Sequence, residues 1–331
     1  MHSVHRRRFV LTTAGLLATP LGRAQMPKVL RIGWLVPDRG SAIDAMITQP
    51  FMRRMHELGY REGGNFRLES EDVPLRSPYE TYLAAYRKVA ARGVDLLLAF
   101  GLEVALKSAT EVAGATPIVM IAINWDPLGK GYIKSLRQSG SNITGVVFRE
   151  VELTAKRFQL LRETFPGLKA ATVLWDELSA DQWREAQRLA GGMGLRLHGV
   201  QFSNPPYDYD KAFAAIPAEF RRVVMMLGSP RFALPERKSL PDAAKRQGLP
   251  TMYVLREYVD AGGLLSYGPN YPQMVARAAD YVDRIAKGAK PGELPIEQPS
   301  TFELIVNLRT AKNLGLTIPQ PVLLRADRLI E

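Results

Sequence analysis

Short apolar runs alternate with amphipathic stretches along most of the chain, and this alternation constrains the fold more than any other feature. Residues 29–36 are typical of a strand, and residues 45–58 predict a helix that ends at Gly59. The run at 95–100 contains three consecutive leucines and has no polar face, which indicates a parallel strand covered on both sides. Repeated alternation of this kind predicts parallel sheets with helices on both faces.

The alternation stops near residues 140–145 and then restarts with a helix predicted at 152–165 and a strand at 171–175. A chain of 331 residues also exceeds the roughly 250–300 residues at which one hydrophobic core stops growing. We therefore predict an α/β fold with two doubly wound parallel-sheet lobes joined by a hinge. Ligands of such sheets bind beyond the carboxyl ends of the strands, so a cleft between the lobes is the expected site.

Residues 1–24 have the pattern of an export signal: Arg6, Arg7 and Arg8, a short apolar run, and a small-residue cleavage site ending at Ala24. The apolar run is shorter than the roughly 20 residues needed to span a bilayer. The paired arginines before Phe9 favour the twin-arginine route, and an ordinary secretory signal is the alternative. The chain has no cysteine, which excludes disulfides and a lipid-modified cysteine at the cleavage site. We expect a periplasmic protein without a membrane anchor.

Charge and motif content narrow the classes of function. The net charge of +11 includes the arginines of the signal, and the other basic residues are mixed with acids, which favours solvated helix faces over a nucleic-acid partner. His56 and His198 belong to no cluster with metal-ligand spacing, and the chain has no nucleophile elbow and no phosphate-binding glycine loop. The sequence thus predicts no enzyme activity, no metal and no cofactor.

Motifs near the C-terminus carry a family resemblance. The segments 261–269 (AGGLLSYGP) and 302–312 (FELIVNLRTAK), with 294–300 and the earlier SNITG at 141–145, resemble ABC-transporter substrate-binding proteins typified by tryptophan- and phenylalanine-binding members. The resemblance implies a type I periplasmic-binding fold with three crossings between the lobes. It implies a small-molecule solute and an ABC permease of the inner membrane as partners. It divides the chain into lobe one, 28–144 plus 266–298, and lobe two, 145–265 plus 299–331.

One segment departs from the pattern that the resemblance implies. Amino-acid-binding members of the family have a small hydroxyl residue after the glycine of the third strand, where a helix N-terminus holds a carboxylate. Here Gly101 is followed by Leu102 and Glu103. If Glu103 faces the cleft, it favours a cationic or hydroxylated solute; as an acid in the first turn, it complements the helix dipole instead.

The expected ligand-binding residues share one position, the segment that follows a strand or lies near a crossing. They are Pro37, Asp38, Gly101, Leu102, Glu103, Asn124, Trp125, Asp126, Asp176, Ser229, Tyr253, Glu257 and Tyr267.

Besides Glu103, three of these residues have alternatives. Tyr253 and Tyr267 are also consistent with core aromatics, because buried aromatics are common. Asp126 is our first choice as the partner of a ligand ammonium group, and its alternative is a turn-forming residue before Pro127.

The function that these observations favour is capture of an amino-acid-like or other amine-bearing solute for an ABC uptake transporter. An exported ligand sensor that docks on a membrane receptor remains open, as does an exported enzyme that reuses the two-lobe cleft.

Overall fold

A computed structural model describes residues 29–74, 77–203, 206–229, 232 and 236–331; the predicted signal at 1–24 lies outside them. The strands of the described ranges are β1 (Leu30–Val36), β2 (Phe66–Asp72), β3 (Leu96–Gly101), β4 (Ile118–Ile123), β5 (Ile143–Phe148), β6 (Ala170–Trp175), β7 (Arg196–Gln201), β8 (Val224–Met226), β9 (Thr251–Tyr253), β10 (Leu265–Pro269), β11 (Ile296–Glu297), β12 (Phe302–Asn307) and β13 (Arg328–Ile330).

The helices cover the faces of two sheets. They are α1 (Ala42–Glu57), α2 (Tyr79–Ala90), α3 (Glu103–Ala113), α4 (Thr154–Thr164), α5 (Ala180–Gly192), α6 (Tyr209–Ala214), α7 (Ser239–Arg246), α8 (Arg256–Asp260), α9 (Tyr271–Ala286), α10 (Leu308–Asn313) and α11 (Gln320–Leu323). No helix in the part of the chain that the structure describes is both long enough and apolar enough to span a membrane.

The first sheet has the order β11-β5-β4-β3-β1-β2, and all of its strand pairs are parallel. Both of its faces are covered. On β3, Leu96 and Leu98 pack in a cluster with residues of α1 and α9, whereas Leu97 and Ala99 pack in a cluster with residues of α2 and α3. Successive side chains of a strand point to opposite faces, so an apolar run of this kind fits a strand that is buried on both sides.

The second sheet has the order β13-β12-β10-β9-β8-β6-β7 and departs from the predicted all-parallel pattern at one pair. Strand β12 runs antiparallel to β10, with Pro269 opposite Phe302. The chain leaves this sheet at the end of β10, passes through α9 and β11 in the first lobe, and re-enters beside the point where it left. Because β12 starts at the end of the sheet where β10 finishes, it runs antiparallel to β10.

The chain passes between the sheets three times, after β5, after β10 and after β11. The sheets place the first two crossings later than the predicted boundaries, because β5 extends the first lobe to Phe148 and β10 extends the second lobe to Pro269.

Strand β5 itself was not predicted, because Gly145 inside it resembles a break. Gly145 has φ +134°, and a Cβ there would lie 2.0 Å from the carbonyl oxygen of Met120 on β4, so only glycine fits this pairing.

Other differences from the predicted elements lie in the second lobe. The sequence pattern also predicts a helix over 232–247; the structure has helix α7 over Ser239–Arg246, and residues 233–235 lie outside the described residues. Strand β13 and helices α8 and α11 were not predicted. These elements are only three to five residues long, too short for a periodic pattern to reveal them.

Candidate functional site

A cavity lies between the two lobes, beyond the carboxyl ends of β3, β4, β8 and β9. Its empty volume, counted out to the solvent at its mouth, is about 640 Å³, of which spheres the size of a water molecule can occupy about 80 Å³. The first lobe lines it with Ile43, Met46, Phe100, Gly101, Leu102, Ile123, Asn124 and Tyr271, and the second lobe with Glu150, Gly228, Ser229, Val254 and Leu255.

Four of the thirteen residues expected from the sequence line this cavity: Gly101, Leu102, Asn124 and Ser229. Each follows or ends a parallel strand, as the strand-end argument requires. The other nine lie outside its lining, and each has a different local role.

Asn124 joins the two lobes through both ends of its side-chain amide. Its oxygen accepts a hydrogen bond from the backbone N–H of Glu150 at 2.9 Å, and its nitrogen donates to the carbonyl oxygen of Gly228 at 3.3 Å. The residue has φ +63°, a left-handed conformation that asparagine tolerates better than most residues. Asn124 therefore ties the end of β4 to two segments of the opposite lobe.

Glu150 and Arg157 form an ion pair beside the cavity, with side chains 1% and 0% exposed. Arg157 also donates from Nε to the carbonyl oxygen of Tyr267 at 2.9 Å. The hydroxyl of Tyr271, from the first lobe, donates to Oε1 of Glu150 at 3.1 Å. Burial raises the pKa of Tyr271 well above its usual value, and the charge of Glu150 raises it further.

The sequence argument missed Glu150, Arg157 and Tyr271. Glu150 follows a strand end like the expected residues, so recognition of β5 would have indicated it. Arg157 carried no such signal, because it lies within the helix predicted over 152–165; Tyr271 begins α9, two residues after the end of β10.

Ser229 and Gly228 are held from inside the second lobe. The hydroxyl of Ser229 donates to Oδ2 of Asp176 at 2.5 Å, and Asp176 is fully buried. Gln182 donates to the carbonyl oxygen of Gly228 at 2.6 Å and accepts from its N–H at 2.9 Å. Asp176 thus supports the cavity from behind Ser229.

Glu103 and Trp125 pack beside the cavity in the first lobe. The carboxylate of Glu103 accepts from the hydroxyl of Tyr132 at 3.2 Å and pairs with Lys130 at 3.1 Å. Burial raises the pKa of Tyr132 to about 12, with a further contribution from the charge of Glu103. The indole nitrogen of Trp125 donates to the carbonyl oxygen of Gly101 at 2.8 Å. Because Lys130 compensates Glu103, the charge of this acid acts weakly on the cavity.

Asp126 shapes the turn that follows β4. Its Oδ1 accepts from the backbone N–H groups of Leu128 and Gly129, each at 3.0 Å, as expected of a turn-forming aspartate. Its side chain is 46% exposed, and Oδ2 lies 3.9 Å from Arg149.

Two of the expected aromatics contribute to the cores of the lobes. Tyr253 is buried and stacks on Tyr258, with ring centroids 4.7 Å apart. Tyr267 packs against both a first-lobe and a second-lobe cluster, with its ring 6.2 Å from that of Phe302. Tyr267 thus lies at the crossing rather than in the cavity lining.

The remaining three residues lie at element ends. Pro37 is buried after β1, and Asp38 beside it has φ +48°. Glu257 lies in the first turn of α8, where burial raises the pKa of its carboxyl group. Among the residues that the structure describes, no three histidine, aspartate or glutamate side chains cluster as a metal site.

Comparisons with known proteins agree with this architecture. The chain is similar to a tyrosine-binding protein of Clostridioides difficile, with 20% identity over 80% of this chain and 75% of the relative. A conserved domain protein from Vibrio cholerae matches with a TM-score of 0.77 and 24% identity, over 91% of this chain and 100% of the other. The ABC domain in complex with L-Trp from Streptococcus pneumonia matches with a TM-score of 0.75 and 20% identity, over 91% and 99%.

These structural similarities confirm the predicted two-lobe α/β fold of the type I periplasmic-binding kind. The family model for ABC transporter substrate binding proteins matches residues 39–330, nearly all of the described chain. The chain therefore belongs to the family of ABC transporter substrate-binding proteins.

Proposed function

We propose that this protein is the solute-binding component of an ABC uptake transporter. It captures a small amino-acid-like or other amine-bearing solute between its lobes and presents the closed form to a permease in the inner membrane. The cavity carries this proposal, because it is lined by strand ends of both lobes and the chain crosses between them three times. Contacts of a ligand with both lobes shift such a protein toward its closed state.

The lining favours a solute with an apolar or aromatic body. Ile43, Phe100, Ile123 and Leu255 are among its apolar side chains. The relatives named above are a tyrosine-binding protein and a domain in complex with L-Trp, both with aromatic ligands. An aromatic amine or amino acid therefore fits the chemistry of this cavity.

Residues 1–24 support a periplasmic location. Their pattern favours twin-arginine export, and the absence of cysteine supports a mature protein without a lipid anchor. The alternatives are an exported sensor that docks on a membrane receptor and an exported enzyme. The neighbouring genes distinguish transport from sensing. Permease and ATPase genes favour transport, and a histidine-kinase gene favours sensing.

A thermal-shift screen of the mature protein tests the proposal. The panel contains aromatic amino acids, aromatic acids, polyamines and nucleosides. A bound solute at 100 times its dissociation constant adds about 2.7 kcal/mol to the free energy of unfolding. Ser229→Tyr, which fills the cavity, should remove the shift, and Ser239→Tyr on the exposed start of α7 should retain it. A shift that survives Ser229→Tyr, or a panel without any shift, contradicts the proposal.

A further inference from the structure

We infer that the end of the second lobe that faces away from the cavity binds an anionic phospholipid surface. This end consists of the four segments that lead into the parallel strands β6, β7, β8 and β9, and we call it the basic end. The segments are 166–170, 193–196, 217–223 and 245–250. The inference goes beyond solute capture, because it concerns a different surface. It relies on the proposed export only for the presence of a membrane.

The basic end has a charge that the equivalent end of the first lobe lacks. Its single acidic residue is Glu219, and its basic residues are Lys169, Arg196, Arg221, Arg222, Lys245 and Arg246. The segments that lead into β2, β3, β4 and β5 of the first lobe are 61–65, 91–95, 114–117 and 138–142. Their basic residues are Arg61 and Arg92, which are balanced by Glu62 and Asp95. Both lobes contain parallel strands covered by helices, so the fold itself does not require this concentration of charge.

The sheet places three of the cations on adjacent strands. The strands are parallel, so their amino ends lie at one edge, in the spatial order β7-β6-β8-β9. The backbone N–H of Arg196 donates to the carbonyl oxygen of Lys169 at 2.9 Å. Arg222 precedes β8, the strand on the other side of β6. Neighbouring strands are about 4.8 Å apart, so the three cations form a short row along the edge.

Arg221 extends this row toward β9. Its guanidinium donates to the carbonyl oxygen of Phe213 at 2.8 Å and to that of Gln247 at 3.0 Å. The second contact brings the segment that contains Lys245 beside the segment that contains Arg222. The four segments of the basic end therefore form one continuous surface.

Most of these cations have their charge available for a partner. Lys169, Arg196, Arg222 and Lys245 are exposed, and none of them forms an ion pair with an acid in the part of the chain that the structure describes. The dipole of α7 accounts for Lys245, which lies in the last turn of that helix. Lys169, Arg196 and Arg222 lie outside the helices, so a helix dipole does not explain them.

The arrangement of the charges favours an extended anionic surface as the partner. A small anion needs donors that converge on one point, whereas these cations begin successive strands in a row. An anionic lipid surface attracts each nearby Lys or Arg by about fivefold in affinity. The leucine, methionine and phenylalanine side chains of the four segments are buried or half-buried, so they offer little for insertion into lipid or for stacking of nucleic-acid bases. The attraction is therefore electrostatic and falls with salt.

Binding at the basic end leaves the cavity accessible. The cavity lies beyond the carboxyl ends of β8 and β9, whereas the basic end lies at the amino ends of the same sheet. The six residues of β6 alone span about 20 Å. A protein held on a membrane by its basic end can therefore still take up a solute, and the two kinds of binding can be measured separately.

Co-sedimentation of the mature protein with lipid vesicles tests the inference. Vesicles of phosphatidylglycerol and phosphatidylcholine in equal parts should bind the protein more than tenfold tighter than phosphatidylcholine vesicles at about 0.1 M salt. Lys169→Glu combined with Arg222→Glu should weaken binding to the anionic vesicles more than tenfold. The control is Arg53→Glu combined with Arg67→Glu, which removes the same charge from exposed positions of the first lobe. The control should change the binding by less than twofold.

The outcomes separate this inference from other partners and from solute capture. Equal binding to both kinds of vesicle, or equal losses in the two double variants, overturns it. Displacement by inorganic phosphate at constant ionic strength assigns a free-phosphate site, and binding to duplex DNA without binding to vesicles assigns a nucleic acid; either result overturns it. If the first double variant does not fold, Arg196→Gln combined with Lys245→Gln should lose about tenfold. A solute panel without any thermal shift contradicts the proposed function and leaves this inference standing.

Discussion

Gly228 has no room for a side chain, and the reason is the placement of Glu150. A Cβ on Gly228 would lie 2.6 Å from Cγ and 2.8 Å from Cδ of Glu150. Gly228→Ala must therefore displace a carboxylate that is buried and ion-paired. We expect a loss of about 1–3 kcal/mol in the free energy of unfolding, together with weaker solute binding. Denaturant unfolding and calorimetric titration measure the two effects.

Gly191→Ala is the control for this substitution. Gly191 lies in α5, and no atom apart from its chain neighbours and the backbone of its own helix lies within 4 Å of a Cβ placed there. Alanine is the better helix former, so this variant should be as stable as the parent or more stable by up to about 1 kcal/mol. A Gly228→Ala variant that is equally tolerated contradicts the tight packing of Gly228 on Glu150.

At the scale of elements, helix α8 carries Glu257, and the surroundings of its carboxyl group disfavour the charged form. Burial is the main cause of the raised pKa of Glu257; Glu303 adds to it, and Arg256 and Arg237 oppose it. The folded state therefore holds this proton to higher pH than the unfolded state does. The contribution of Glu257 to stability falls as pH rises from the usual carboxyl range through the raised pKa.

Glu257→Gln should consequently raise the melting temperature at pH 7.5, and the gain should shrink toward pH 4. Glu297→Gln on β11 should show the opposite sign. The pKa of Glu297 is lowered by Arg277 of α9, which donates to its two oxygens at 2.6 Å each. This variant should be less stable at pH 7.5, and its deficit should vanish at low pH. If the difference in melting temperature between each variant and the parent does not change with pH, both pKa assignments are contradicted.

At the scale of the whole molecule, Asn124 contributes two of the hydrogen bonds between the lobes. Asn124→Gly removes both bonds without backbone strain, because glycine accepts the positive φ of this position. We expect the variant to populate a more open form, with a larger radius of gyration in solution scattering and weaker solute binding. An unchanged radius together with an unchanged affinity contradicts the role of Asn124 in closure.

A separate prediction concerns the export of the chain. Replacing Arg6 and Arg7 by lysine should leave precursor in the cytoplasm if the twin-arginine route is used. Cell fractionation with detection of precursor and mature forms measures this. Undiminished mature protein in the periplasm indicates the ordinary secretory route instead.

The sequence by itself determined the two-lobe α/β architecture, and it indicated four of the residues that line the cavity. Apolar runs without a polar face indicated strands buried on both sides, and the restart of the alternation indicated a second lobe. Gly101, Leu102, Asn124 and Ser229 were identifiable because strand ends of parallel sheets meet at one edge. Applying this strand-end rule requires only that the strands be recognised in the sequence.

Only the tertiary structure decided which strand-end residues line the cavity and which support it. Asp126, Trp125 and Glu103 follow strands as the lining residues do, but turn hydrogen bonds and local partners hold their side chains elsewhere. Glu150 depends on Tyr271, 121 residues away along the chain, and on Arg157. Tyr271 meets Glu150 only when the lobes pack on each other, and a pattern of neighbouring residues carries no information about that contact.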